Sequence, residues 1–218
     1  MHIHEGGYLY IFPFSNTARR AFKNHFTLIY HGAYLEISFV TSNPGKFSEA
    51  EKILNKYGVN IIHAPLPLEE RRSESVEEIA EGCALRAFSL LRKPLFVEDS
   101  GLFVPALNGF PGTYSAWVLR KIGNEGILRL LSGTKGRSAE FRCAVAFTEG
   151  KEVRLFTGSV RGRVTESIRG NGGFGYDPVF VPEGEEKTFA EAPSLKDSLS
   201  HRTRALQKFG EFLSTKVK

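Results

Sequence analysis

Ile37-Ser-Phe-Val-Thr-Ser-Asn-Pro-Gly-Lys-Phe47 decides the fold class. Ile37 to Thr41 reads as a short buried strand. Ser42-Asn-Pro-Gly45 is a turn built from residues that favour one. Apolar groups then recur at Phe47, Ala50, Ile53, Leu54 and Tyr57, the spacing of one helical face. Gly58 stops that helix, and Val59-Asn-Ile-Ile62 returns as a strand. Strand, turn, helix and strand in this order open an α/β unit.

Working outward, Pro65, Pro67 and Glu69-Glu-Arg-Arg72 read as a linker. Ser75 to Leu91 predicts a helix with Val76, Ile79, Ala80, Cys83, Ala87 and Leu90 inward, and Ser75 with Glu78 fits a capping box. Leu95-Phe-Val97 predicts a buried strand that ends in Glu98-Asp99-Ser100-Gly101. An acidic pair at the carboxyl end of a strand is a functional position in open α/β sheets. A Gly/Pro loop over 107–112 and two short helices, near Ser115–Lys121 and Asn124–Leu131, follow. Ala139 to Thr148 alternates, with Phe141, Cys143, Val145 and Phe147 on one side, and Val153 to Thr165 returns after Glu149-Gly150. That pattern predicts a long antiparallel hairpin, expected as a separate lobe. Arg202 to Leu213 closes the chain as a helix with Ala205, Leu206, Phe209 and Leu213 on one stripe.

Bulk properties bound the function. With 218 residues, 41% hydrophobic, the chain is long enough for a real core and globular in composition. A formal net charge of +5 suits an anionic ligand without identifying one. A nucleic-acid partner needs a basic stripe with interleaved aromatics, and here the conspicuous glycines sit beside acids, so none is expected. No apolar run reaches the ~18 residues of a membrane span. Cys83 and Cys143 form neither a metal spacing nor a disulfide framework, which points to a reducing, cytoplasmic compartment. Residues 1–35 are set apart as an N-terminal extension, and 36–218 as the domain. The extension reads either as a further strand and helix packed on the domain or as poorly ordered sequence ahead of its true start. His2, His4 and His25 do not group as a metal cluster.

Four places carry candidate chemistry. Thr41-Ser-Asn-Pro-Gly-Lys46 leads from a strand into a helix, where backbone N–H groups hold phosphate oxygens and Lys46 neutralises charge. It lacks the GxxxxGK[ST] spacing, and an ordinary N-cap turn accounts for the same residues. Glu98-Asp99 offers hard oxygen ligands for Mg²⁺ and a carboxylate to position or deprotonate water; surface charge is the plain alternative. Glu70, with Glu69 beside it, is the candidate for a second ligand. Gly170-Asn-Gly-Gly-Phe-Gly-Tyr-Asp-Pro178 brings four glycines around two rings, so Phe174 or Tyr176 stacks on a planar base and Asp177 reads its edge, or the rings plug the core. Lys196 and Ser200-His-Arg202 place two basic residues in the first turn of a helix, the dipole end that disfavours cations.

Together, Thr41-Ser-Asn-Pro-Gly-Lys46, Glu98-Asp-Ser-Gly-Leu102, Phe110-Pro-Gly-Thr-Tyr-Ser115, Phe174-Gly-Tyr-Asp-Pro178 and Ser200-His-Arg202 resemble the inosine/xanthosine triphosphate pyrophosphatases, the Ham1-like family. The resemblance covers about Ile37 to Phe212. It implies an elongated α/β fold with a mixed sheet, two lobes and an active-site cleft between them, in a homodimer. It also implies Mg²⁺-dependent cleavage of ITP, dITP and XTP between the α and β phosphates, which removes them from the nucleotide pool as monophosphate and pyrophosphate. By the family's pattern Thr41, Ser42, Asn43 and Lys46 meet the triphosphate, and Ser100 touches substrate. Glu70 and Asp99 hold Mg²⁺, and Asp99 accepts the water's proton. Phe174, Gly175, Tyr176 and Asp177 line the base pocket, and Lys196, His201 and Arg202 meet the base's oxygen-bearing edge. Trp117 departs from the small or basic residue many relatives carry there, which bears on substrate breadth. A septum-inhibitor-type pyrophosphatase with pyrimidine or modified-base substrates is the alternative enzyme; Phe174–Asp177 and Ser200–Arg202 argue against it.

Overall fold

The computed structural model describes residues 29–31, 34–68 and 73–216. In chain order the elements are β1 (Ile29–His31), β2 (Tyr34–Val40), α1 (Pro44–Leu54), β3 (Val59–His63), α2 (Val76–Leu91), β4 (Leu95–Phe103) and β5 (Pro111–Gly112). Then come α3 (Ser115–Leu130), β6 (Ser138–Thr148), β7 (Val153–Val164), β8 (Phe180–Pro182), α4 (Pro193–Leu199) and α5 (His201–Lys216). The strands form one mixed sheet in the order β1-β2-β4-β6-β7-β8, with β3 also on β2 and β5 on β4. β2 runs parallel to β3 and β4; every other pairing is antiparallel.

The opening unit forms as its residues dictate. Asn43 caps α1, Pro44 occupies the first turn where no N–H is missed, and Gly58 takes φ 70° to let the chain turn into β3. The sheet reaches back to Ile29, ahead of the boundary expected at residue 36. The rest of the expected extension lies outside the described residues, as does the linker 69–72 with Glu69 and Glu70.

Several expectations need correction. Glu98 and Asp99 are not at a strand end. They sit in the middle of β4, which continues to Phe103 because β6 pairs with it over its whole length. The β6–β7 hairpin is not a separate lobe, for the same reason. Its strands belong to both ends of the molecule. One end of the sheet is covered on one face by α1 and α5 around Phe39, Phe96, Phe147 and Phe209, and on the other face by α2 around Val97, Ala144 and Ala146. The far end of β4, β6 and β7 packs with α3 and β8 around Leu102, Val118, Val160 and Phe180. Large side chains buried this fully contribute on the order of 2 kcal/mol each. Leu90 is exposed, and Ala84 is buried on α2 instead. The capping box is also half formed: Ser75 Oγ accepts from Glu78 N, but Ser73 Oγ intervenes between Glu78 and the Ser75 N–H. The two short helices before β6 do form, as α3 broken at Gly123, whose φ 65° and ψ −172° are accessible to glycine. Among the described residues no helix is long and apolar enough to cross a membrane.

Candidate active site

The strand-to-helix turn brings Thr41, Ser42, Asn43 and Lys46 to the carboxyl end of β2. Asn43 Oδ1 accepts from the backbone N–H of Gly45 (2.9 Å) and Lys46 (3.2 Å). The oxygen is therefore committed to the cap, which leaves the side-chain amide nitrogen as Asn43's donor to an anion. Thr41 Oγ1 accepts from Asn43 N, and Thr41 O bonds His63 Nε2 at 2.8 Å, which fixes the turn against β3. No acid lies in the first turn of α1. The positive helix end and Lys46 therefore face an anion without a local counter-charge from that turn.

β4 divides its two acids. Successive side chains of a strand point to opposite faces. Glu98 lies on the face of Phe96, beneath α1 and α5, while Asp99 lies on the face of Val97, towards α2. They cannot act as one chelating pair. Glu98 Oε2 accepts from Arg202 Nε (3.1 Å) and meets Lys46 Nζ (3.4 Å); Oε1 accepts from Arg202 Nη2 (3.3 Å) and from Cys143 Sγ (3.2 Å). Burial alone would raise this carboxyl, but the charges of Arg202 and Lys46 outweigh it and hold Glu98 well below its ordinary 4.5. Glu98 is thus a permanent anion that aligns two cations. Asp99 is half-buried, and Ser100, back on the Glu98 face, accepts from Arg202 Nη2 at 3.3 Å.

The glycine-rich loop before β8 brings Phe174 against the strand-to-helix turn at Gly45. A Cβ on Gly45 would lie 2.9 Å from the Phe174 ring, so the turn and the ring touch only because position 45 has no side chain. Lys196 Nζ stands 3.9 Å from the ring centroid and Arg202 Cζ 5.4 Å. Asp177 Oδ2 accepts from Phe174 N (2.8 Å) and Lys196 Nζ (2.6 Å). Burial lifts Asp177 above its ordinary 3.8, with the Lys196 charge pulling the other way. Asp177 therefore sets the ring and the lysine rather than standing open to a base. Gly175 O accepts from Asn124 Nδ2 (3.1 Å), which ties the loop to α3. Tyr176 is in the core at the far end of the sheet, and its hydroxyl donates to Ser115 O at 2.9 Å. The ring expected in the base pocket supports the loop from beneath.

Ser200 caps α5 through its Oγ on Thr203 N, so His201 and Arg202 do occupy the first turn. The His201 ring stacks on Phe141, centroids 4.6 Å apart and 9° from parallel. Burial and then the Arg202 charge hold His201 well below its ordinary 6.5, so it is neutral. Its Nδ1 is buried with no hydrogen-bond partner among the described residues. Glu98, Ser100 and Glu49, the last at 2.6 Å, engage the Arg202 guanidinium. Glu49 was missed from the sequence. It also meets Lys196 Nζ at 2.7 Å and so bridges the two cations. The available signal was its place three residues after Lys46, on the same helical face.

Among the described residues no group of three or more His, Cys, Asp or Glu could hold a metal ion. Glu70 lies outside them. Asp99 has the hard oxygen chemistry Mg²⁺ takes, whereas Glu98 is engaged by two cations.

Comparison with known proteins places the chain. The family described as the Ham1 family matches residues 37–212. The chain is 49% identical over 185 residues to the dITP/XTP pyrophosphatase of Methanopyrus kandleri, covering 84% of this chain and 98% of that protein. Identity is 45% over 185 residues to the dITP/XTP pyrophosphatase of Thermococcus kodakarensis, covering 84% of this chain and 100% of that one. The solved Ham1 protein of Staphylococcus aureus superposes with a TM-score of 0.73 at 32% identity, covering 83% of this chain and 99% of that structure. A HAM1 protein from Coxiella burnetii gives 0.73 at 29%, covering 83% and 98%.

Proposed function

The chain belongs to the Ham1 family, and from that premise we propose that it is a pyrophosphatase of non-canonical purine nucleoside triphosphates. It hydrolyses dITP, XTP and ITP to the nucleoside monophosphate and pyrophosphate, which clears them from the nucleotide pool. One observation carries the reading: the ring of Phe174 touches the Asn43–Lys46 turn at Gly45 and has Lys196 Nζ and Arg202 Cζ within 3.9 and 5.4 Å of its centroid. An aromatic platform between a phosphate-holding turn and a set of donors is the layout a purine nucleotide needs.

In this reading the triphosphate lies on the turn, with Lys46 Nζ and the Asn43 amide on its oxygens. The purine stacks on Phe174. Its six-position oxygen is met by donors from Lys196, Arg202 and the His201 ring, whose Nδ1 otherwise remains a costly buried polar atom. Glu49 gives up the cations as the base enters, because it is the half-exposed member of that group. Adenine, with an amino group at position six, would leave these donors facing N–H groups, and such unpaired buried groups give strong discrimination. Rejection of GTP uses guanine's exocyclic amine, since guanine shares the six-position oxygen. Asp99 accepts the proton of a water attacking in line at the α phosphate. Mg²⁺, held by Asp99 with Glu70, would supply charge neutralisation on the phosphate oxygens. The enzyme works as a cytoplasmic homodimer, without nucleic acid or membrane as partner.

Pyrophosphate release from dITP, ITP, XTP, dATP, dGTP and dUTP, with and without Mg²⁺, tests this. Release from dITP and XTP well above dATP and dGTP, and only with Mg²⁺, is expected. Release confined to dUTP would transfer the chain to a pyrimidine-directed activity, and absence of release from dITP and XTP would end the reading.

A further inference from the structure

Cys143 stands in the middle of β6, directly opposite Ser100 of β4 on one side and Gly158 of β7 on the other. These three small residues form a row across the sheet under the first turn of α5. Gly158 leaves room for that turn: a Cβ there would lie 2.2 Å from His201 O and 2.6 Å from Ala205 N. Ser100 bonds the Arg202 guanidinium. Cys143 is 1% exposed, and its Sγ lies 3.2 Å from Glu98 Oε1.

The thiol can only be a donor here. Its partner is an ionised carboxylate, and burial together with that negative charge pushes Cys143 well above its ordinary 9.0, so the proton stays on sulfur. A carboxylate offers about four lone-pair sites. Arg202 fills two of those on Glu98, while Lys46 Nζ donates to the Glu98 backbone carbonyl (3.3 Å) and pairs with Oε2 by charge at 3.4 Å. The Cys143 thiol fills a third and is the neutral donor of the set. The distinction has a consequence once nucleotide binds. In the functional reading above, on which this inference rests, Lys46 turns to the phosphates and its hold on Oε2 weakens. The Cys143 contact at Oε1 does not involve any group that substrate recruits.

We propose that Cys143 is a positioning residue, whose thiol fixes the plane of the Glu98 carboxylate and so keeps Arg202 aligned for the base while Lys46 serves the phosphates. Cysteine suits the position because its weak donor tolerates an apolar row, where Val145 and Phe147 line the same face of β6.

The test is steady-state hydrolysis of dITP by the full chain with Mg²⁺, comparing wild type with C143S, C143A and C143V, alongside their thermal midpoints. Serine keeps a donor, alanine removes it, and valine removes it while keeping volume. C143A and C143V are expected to raise KM for dITP about tenfold, with kcat within about twofold, as loss of a hydrogen bond to a charged group predicts. C143S should stay within about twofold of wild type on both constants. Should C143A fail to fold, C143V supplies the donor-free arm. Wild-type constants in C143V, or a loss in C143S equal to that in C143V, would overturn the proposal, because packing alone would then explain the residue. Wild-type protein that does not hydrolyse dITP removes the functional reading and this inference with it. Active wild type with unchanged C143V removes this inference alone.

Discussion

Asp99 and Tyr176, both drawn from the sequence motifs, stand in different surroundings. Asp99 shares a strand with Glu98 but lies on its opposite face. Asp99→Asn should therefore lower kcat for dITP by at least about 10³, the scale of losing a catalytic base, while leaving the thermal midpoint within a few degrees. Retention of more than a tenth of the wild-type rate would remove Asp99 from proton transfer. Tyr176 invites the opposite expectation. A ring beside Phe174 in the sequence suggests base stacking, yet the structure buries it and turns its hydroxyl to Ser115 O. Tyr176→Ala should cost about 3–5 kcal/mol of unfolding free energy, as aromatic truncation in a core does. Tyr176→Phe should lose only about 1 kcal/mol for the hydrogen bond and keep KM for dITP. A raised KM in Tyr176→Phe with unchanged stability would return the hydroxyl to the base pocket.

At the scale of elements, the site depends on how closely α5 approaches β7. Gly158 permits the approach, and Arg204 and Lys208 hold it by donating to Ser159 O and Thr157 O of the same strand. Gly158→Ala places a methyl group against backbone, which cannot rotate away. The helix must shift, and with it His201 and Arg202. The expected outcome is a KM for dITP raised at least about fivefold, with a loss of about 1–3 kcal/mol in urea unfolding for the overpacked contact. Unaltered KM would mean that the first turn of α5 does not set the base end of the site. This contact also marks where the sequence stopped being legible. Local signals in 37–62 were strong, because a strand, a capped turn, an amphipathic stripe and a terminal glycine all agree there. The helix caps at Asn43, Ser75 and Ser200 were readable for the same reason. Gly158 was not, because its neighbour is 43 or more positions away in the chain. The length of β4 was equally hidden: nine residues of pairing with β6 override the turn that Ser100-Gly101 suggests alone. The site motifs lay in the sequence, but their partners, Glu49 and Cys143, did not, since ion pairing and thiol bonding follow from packing rather than from spacing.

Across the whole molecule, α1, β4, α4, α5 and the Phe174 loop meet through one set of charges: Lys46, Lys196 and Arg202 against Glu49, Glu98 and Asp177. The three acids balance the three bases, and Glu98 is the most enclosed acid of the set, its side chain 1% exposed. Removing one member of such a buried set leaves its partners charged and desolvated, a cost of about 3–5 kcal/mol. Glu98→Gln should lose that much at pH 7. Its pH dependence is more telling. Glu98 lies well below its ordinary 4.5 in the folded protein, so the unfolded chain takes up its proton first as pH falls. The stabilisation is complete above about pH 4.5 and drains away below it. His201, held neutral below its ordinary 6.5, acts with the same sign but earlier, weakening the fold as pH drops from about 6.5. Asp177, lifted above 3.8, runs the other way and shallows the acid slope in both proteins alike. Wild type should therefore lose stability in two stages, below pH 6.5 and again below 4.5, and Glu98→Gln should keep the first stage and show a flatter second. Urea unfolding at half-unit intervals from pH 8 to pH 3 measures both. Parallel curves for the two proteins below pH 4.5 would mean that Glu98 is not the anion holding the elements of the site together.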